Sequence, residues 1–377
     1  MPALSALSLD ARIALADGLR ARRAITAEAV TEALLCAHPD WRERYGELAQ
    51  GRGIEDACNH VDFLAGAVES GAAAGFADYA RWAATVFAAR GIAPQFLAES
   101  FTQILSTLTN HLGPDHSAAL LEIVAAGVDA CVLATEDLVR PDFAAPLHEG
   151  LALAQRVFLQ ALLQGDRRAA STVAVEALRD GYPLTDVYVD LFQNALYEVG
   201  RRWEANDISV AQEHMATATA QYVLTQLYPR IEQPQTRRGR GVVTGVQGEL
   251  HQMGPNIVAD ALEADGWDIR FLGTNMPHDG IVRVVAEHGA LVLGISATML
   301  FNVPQVRRLI QDVRRQASPP RIIVGGGAFR AAPHLWRELE ADGFATGVRE
   351  AVALVRQWSA DGANEADGVT RPFVARP

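Results

Sequence analysis

Between positions 241 and 330, four short apolar runs recur: Gly241-Val-Val-Thr-Gly-Val, Trp267-Asp-Ile-Arg-Phe-Leu-Gly, Ala290-Leu-Val-Leu-Gly-Ile-Ser-Ala and Arg321-Ile-Ile-Val-Gly-Gly-Gly. Each precedes a stretch with helical spacing, at 255–265, 277–288, 303–316 and 333–342. Runs rich in β-branched residues and lacking polar alternation are buried on both faces, so they predict a mainly parallel sheet covered by helices. A doubly wound, Rossmann-like α/β domain over 241–361 follows. In such a sheet ligands sit beyond the carboxyl ends of the strands, so the loops after the strands become the candidate site.

The rest of the chain reads as helix. Residues 1–143 are Ala- and Leu-rich with helical spacing, broken at His38-Pro39-Asp40, Gly51-Arg52-Gly53, Gly91-Ile92-Ala93-Pro94 and Gly113-Pro114-Asp115. A second helical block, 144–232, breaks at Gly165-Asp166, Gly181-Tyr182-Pro183 and Asn206-Asp207, the pattern of a four-helix bundle. Polar residues 233–240 read as a linker and 362–377 as a loose tail. The expected class is therefore α plus α/β.

Composition excludes several chemistries. All 33 basic residues are arginine, which removes Schiff-base, pyridoxal-phosphate and phosphate-loop mechanisms that require lysine. A net charge of −12 offers no field for nucleic acid. No run of eighteen apolar residues suggests a membrane span, and a cytoplasmic setting is expected. Cys36, Cys58 and Cys131 are too far apart in sequence for a zinc site and read as reduced core thiols.

The strand-end loops carry Gly248-Glu249-Leu250-His251-Gln252-Met253-Gly254, then Ser296-Ala297-Thr298, then Gly325-Gly326-Gly327. No G-x-G-x-x-G opens the first helix, so a dinucleotide site lacks its phosphate turn. The E-x-H-x-x-G run, with S-x-T and G-G-G at these spacings, resembles the cobalamin-binding domain shared by methionine synthase, corrinoid proteins and B12-dependent mutases. That resemblance implies His251 as lower axial cobalt ligand in place of the cofactor's own benzimidazole. It implies Ser296 and Thr298 against the buried cofactor tail, and Gly325, Gly326 and Gly327 leaving room for it. A ligating imidazole benefits from a carboxylate on its other nitrogen. Glu249 is the candidate, where the commoner family residue is Asp.

In the preceding block, Trp203 is followed after nine residues by Glu213-His214, and Ser209 with Gln212 forms a capping box that starts a helix there. Trp-x9-Glu-His is similar to the upper-face motif of light-sensing B12 photoreceptors of the CarH type. The resemblance spans about 150–358. It implies that Trp203 packs on a 5′-deoxyadenosyl group, Glu213 hydrogen-bonds it, and His214 can take cobalt after light expels it. The stretch from Cys58 through Trp82 to His111 resembles the globin-like domain of photocobilins, which join cobalamin to a bilin. His60, Asp62, Tyr79, Arg81, Trp82 and Arg90 are the implied biliverdin residues, and the residues alone are equally those of an ordinary helical domain.

The expectation is thus a non-enzymatic photoreceptor that binds adenosylcobalamin and biliverdin. It would form a light-dependent homo-oligomer and signal to an unidentified downstream protein. The alternatives are a corrinoid protein carrying a methyl group for a separate methyltransferase, and a simple cobalamin-binding module.

Overall fold

The computed structural model describes residues 4–110, 112–133, 148–231 and 237–366. The front part is helical throughout its described residues: α1 (Leu9–Ala21), α2 (Arg23–Ala37), α3 (Asp40–Tyr45), α4 (Leu48–Ser70), α5 (Ala73–Ala89), α6 (Pro94–Thr109) and α7 (Pro114–Leu133). Gly51-Arg52-Gly53 is not the break the sequence suggested and lies inside α4. A Cβ on Gly53 would stand 2.6 Å from Thr31 Cγ2, so this glycine permits the close crossing of α2 and α4. Of the cysteines, Cys58 and Cys131 are buried, whereas Cys36 is exposed and not a core thiol. One window of α7, His116–Leu133, is long and apolar enough to cross a membrane; its Leu120, Ile123 and Val124 pack in the core of this helical domain.

The bundle follows as α8 (Ala152–Gln164), α9 (Arg167–Arg179), α10 (Leu184–Val187), α11 (Asn194–Glu204) and α12 (Val210–Leu227). A π-helical segment, Tyr188–Gln193, joins α10 to α11 in one run. Gly165 in the left-handed conformation ends α8, and Asp166 caps α9 by accepting from the amides of Arg168 and Ala169. The Ser209–Gln212 capping box is present at the start of α12.

The sheet comprises β1 (Gly239–Gly245), β2 (Trp267–Phe271), β3 (Val292–Ser296), β4 (Arg321–Gly325) and β5 (Gly343–Ala345), all parallel in the order β2-β1-β3-β4-β5. The order reverses between β1 and β3, which is where a doubly wound fold opens its ligand crevice. Around it lie α13 (Met253–Ala264), α14 (His278–His288), α15 (Val303–Arg314), α16 (Gly327–Ala331), α17 (Leu335–Glu338) and α18 (Val348–Ala366).

Several boundaries differ from the sequence reading. β1 starts within the expected linker, because Gly239 and Arg240 pair with Trp267 and Asp268. The stretch 333–342 holds only the short α17, and α18 continues through Ala366 into the expected tail. The rest of that tail, 367–377, lies outside the described residues, as do 134–147 and 232–236.

The front domain is seated on the sheet domain. Leu300, in the loop after β3, presses into α4 and α5 where Gly66 and Gly75 leave space; a Cβ on Gly66 would meet the Leu300 carbonyl carbon at 2.7 Å. Beside it the fully buried Glu69 receives Arg307 Nε at 3.0 Å and Arg20 Nη2 at 2.7 Å. Arg12 pairs with Glu338, and His334 Nε2 donates to the Ser70 carbonyl at 3.0 Å. The bundle in turn rests on α13, where Tyr188 donates to Asp260 at 3.0 Å and Tyr228 to Glu263 at 2.6 Å.

Candidate functional site

The loop after β1 rises from the switch point of the sheet. Gly248 takes a positive φ of 86°, a conformation that favours glycine, and its amide donates to Asn275 Oδ1 at 2.9 Å. This turn drives Glu249 inward and leaves Leu250 and His251 outside: Glu249 is 0% exposed and Leu250 is 74% exposed. Gln252 precedes α13, which starts at Met253 and carries Gly254 in its first turn.

Glu249 is held by four donors. Its Oε1 accepts from His251 Nδ1 at 2.6 Å and from the His251 amide at 2.8 Å, and its Oε2 accepts from the Thr298 amide and from Asn302 Nδ2 at 3.4 Å. Burial pushes the Glu249 carboxyl up, yet the hydrogen bonds from the His251 ring and from the amides outweigh it and hold the group below the ordinary range. The Glu249 hydrogen bond raises the His251 pKa above its ordinary value; burial opposes this, and the charges of Glu249 and Glu213 add to it. Nδ1 is thereby committed to Glu249. Among the described residues no partner is found for Nε2, on a side chain 52% exposed.

The second and third loops meet behind this pair. Ser296 ends β3, and Thr298 reaches Glu249 through its backbone amide. Gly326 has a φ of 98°, and a Cβ there would stand 2.3 Å from the Ala297 carbonyl oxygen; one on Gly327 would stand 2.6 Å from that of Thr298. The triple glycine after β4 therefore lets the two loops close on each other, a role beyond the cofactor space expected of it. Asn302, buried and touching Glu249, was not foreseen, since nothing in the local pattern marks it.

Glu213 and His214 open α12, with Glu213 accepting from Thr217 Oγ1 at 2.9 Å and pairing with His214 Nδ1 at 2.6 Å. The charge of Glu213, in the first turns of α12, adds to the rise at His251. Trp203, at the end of α11, is half-buried. It is gripped from the front domain by Arg90 and Trp82.

Of the six expected bilin residues, His60, Tyr79, Trp82 and Arg90 form one run of contacts that ends on Trp203, whereas Asp62 and Arg81 pair elsewhere. His60 and Tyr79 are buried and bonded to each other at 2.6 Å; burial lowers His60 to about 3 and so keeps it neutral. Phe63 stacks on Tyr79 at 3.6 Å and Phe101 stands edge-on to His60 at 5.1 Å. Asp62 pairs with Arg23 and lines an open groove with Arg20, Phe301 and Arg308. Arg81 pairs with Asp78 at the surface, while Trp82 and Arg90 face Trp203. His111 lies outside the described residues.

A cobalt corrin fits the residues present. Among the described residues no cluster of three His, Cys, Asp or Glu side chains could hold a bare metal ion, whereas one imidazole with a fixed tautomer suits a metal already enclosed by a macrocycle. Comparison with known proteins agrees. Residues 239–355 match the model of the B12 binding domain, and residues 154–228 match a second B12 binding domain model. A corrinoid protein of Desulfitobacterium hafniense is 25% identical over 205 residues, covering 52% of this chain and 94% of the relative. Dimethylamine corrinoid protein 3 of Methanosarcina mazei is 24% identical over 165 residues, covering 42% of this chain and 97% of the relative. The monomethylamine corrinoid protein of Methanosarcina barkeri has a similar fold, with a TM-score of 0.50 and 21% identity over 55% of this chain and 99% of that one. The chain is a cobalamin-binding protein.

Proposed function

We propose that this chain is a corrinoid carrier that holds cobalamin with His251 as the lower cobalt ligand and offers an upper-face methyl group to a separate methyltransferase. The observation that carries this reading is the His251–Glu249 pair at the switch point of the sheet, with a helical bundle beside it. The names of the relatives support the methyl cargo. When bound, cobalamin supplies a cobalt centre that accepts and releases an alkyl group. The chain's own residues do the positioning. Glu249 keeps the His251 proton on Nδ1, so the Nε2 lone pair is available, and the loops bearing Ser296, Thr298 and Gly326 form the wall beside it. On this reading the chain is not itself an enzyme.

A second reading is favoured by the sequence motif at the junction of α11 and α12, where Trp203 lies in the last turn of one helix and Glu213 and His214 in the first turns of the next. Their resemblance to the photoreceptor motif supports adenosylcobalamin as the bound form and a homo-oligomer that changes with light. Biliverdin belongs to that reading by resemblance alone, and of its implied residues His60 and Tyr79 are bonded to each other while Trp82 and Arg90 are engaged with Trp203.

Reconstitution decides between the two. Loading with adenosylcobalamin in the dark, then recording absorption and elution volume before and after green light, supports the sensor if both change. Unchanged assembly, together with demethylation of the methylcobalamin form by a methyltransferase, supports the carrier. A chain that stays colourless after soaking in cobalamin overturns both, as does a His251→Ala variant with the wild-type cobalt spectrum. A red-absorbing band on adding biliverdin tests the bilin site.

A further inference from the structure

The front domain lies outside both B12-domain matches, yet it reaches Trp203, the residue that the resemblance implies on the upper side of a bound corrin. Arg90 lays its guanidinium over the Trp203 ring, with Cζ 5.2 Å from the ring centroid. Its Nη2 also donates to the Trp203 carbonyl at 3.2 Å, and its Nη1 donates to the Val86 carbonyl at 2.9 Å and the Glu204 carbonyl at 3.4 Å. Trp82 stands beside the same ring at 6.2 Å, and its Nε1 donates to Glu204 Oε1 at 2.9 Å. One tryptophan at a helix end is therefore fixed through its ring, its carbonyl and its neighbouring side chain by two residues more than a hundred positions away.

The far side of the front domain touches the other half of the site. Tyr79 lies 6.0 Å from Trp82 and stacks on Phe63, and Phe63 meets Phe301 edge-on at 5.1 Å. Phe301 and Leu300 continue the loop whose Thr298 amide holds Glu249 beneath His251. The front domain thus links the loop that holds Glu249 to Trp203 through one run of packed side chains.

Resting on the cobalamin reading and on the Trp203 position that the photoreceptor motif implies, we propose that Arg90 and Trp82 are positioning residues that hold Trp203 across the upper face and so set how readily an axial group there is exchanged. A cation over an indole face and a charge-assisted bond to its own carbonyl restrict both the ring and the helix end that carries it. Without these contacts the end of α11 keeps its own turn, in which Asn206 at a φ of 60° donates its amide to the Trp203 carbonyl at 3.0 Å.

The test uses the full chain loaded with hydroxocobalamin and follows the rate at which dilute cyanide shifts its absorption. Arg90→Ala and Trp82→Phe are expected to exchange about tenfold faster than wild type, the equivalent of one charge-assisted hydrogen bond. Hydroxocobalamin affinity and the spectral signature of lower-face ligation should stay as in wild type, which a general loosening of the fold would not allow. Arg315→Ala, on the surface with Asp312, should leave the rate unchanged, and Arg90→Lys should lie between. If Arg90→Ala does not fold, Glu204→Gln, which weakens the anchor of Trp82, carries the same expectation. Wild-type rates in these variants, with acceleration in Trp203→Ala, overturn the positioning role and leave the cobalamin reading intact. A wild-type chain that takes up no hydroxocobalamin overturns both.

Discussion

Glu249 and His251 are bonded twice within one turn: the same carboxylate oxygen accepts the ring Nδ1–H at 2.6 Å and the backbone amide at 2.8 Å. The side chain that selects the imidazole tautomer therefore also fixes the backbone from which the ring projects. Glu249→Gln retains the size but loses the charge that favours the Nδ1 proton. Cobalamin affinity should fall about 10- to 100-fold, the usual effect of removing a partner of a metal-bound histidine. Spectroscopic titration with hydroxocobalamin measures it, and affinity equal to wild type would remove Glu249 from the site.

Asp260 gives the contact between bundle and sheet domain a pH dependence. Burial raises its pKa to about 6 from an ordinary 3.8, with the Tyr188 hydrogen bond opposing and Glu263 adding to the rise. The folded chain thus binds more protons than the unfolded one between these values, so this group's contribution to stability declines as pH rises from about 4 to about 6 and is level above. Urea midpoints at several pH values, compared between wild type and Asp260→Asn, should show that slope in wild type and its loss in the variant.

Gly326 and Gly254 should respond oppositely to the same change. Gly326→Ala forces a Cβ to within 2.3 Å of the Ala297 carbonyl oxygen at a φ of 98°, whereas a Cβ on Gly254 meets nothing within 4 Å. We expect Gly326→Ala to cost about 3 kcal/mol or more. Gly254→Ala should be neutral or slightly stabilising because it lies within a helix. Equal unfolding midpoints would contradict the close loop contact.

Glu69 is the buried centre of the seat between the front and sheet domains, with arginines from each, Arg20 and Arg307, converging on it. Glu69→Ala leaves the little-exposed Arg307 without its counter-charge and Arg20 with Asp17 alone, at a cost of about 3 kcal/mol. The front domain should then be released first on limited proteolysis. A Glu69→Ala chain as resistant as wild type would show that the Leu300 contact suffices.

Strands β1 to β4 were legible because a run such as Val242-Val243 or Ile322-Ile323-Val324, with both faces apolar, can only be buried. The Ser209–Gln212 cap was legible because its partners are three residues apart. The three-residue β5 is too short to show any period. Gly53 was misread because a glycine that admits a neighbouring helix looks, in sequence, like one that ends its own. Arg90 and Trp82 were assigned to a different ligand for a related reason. Arg90 and Trp203 stand 113 residues apart, and no local pattern encodes a pairing across that distance. Asn302 was missed on the same ground, since its reach to Glu249 depends on how two loops fold over each other.

That a single imidazole faces the solvent side of the β1 loop, with no group of three His, Cys, Asp or Glu side chains able to hold an ion among the described residues, bears on metal fidelity. Zinc, nickel and copper ions outcompete cobalt at most nitrogen-rich chelates. A histidine whose neighbouring carboxylate is already taken up by its own ring and by backbone amides gives them no chelate to occupy. Discrimination passes instead to the wall of loops that must recognise a finished macrocycle, so mismetallation is avoided before any ion is weighed against another.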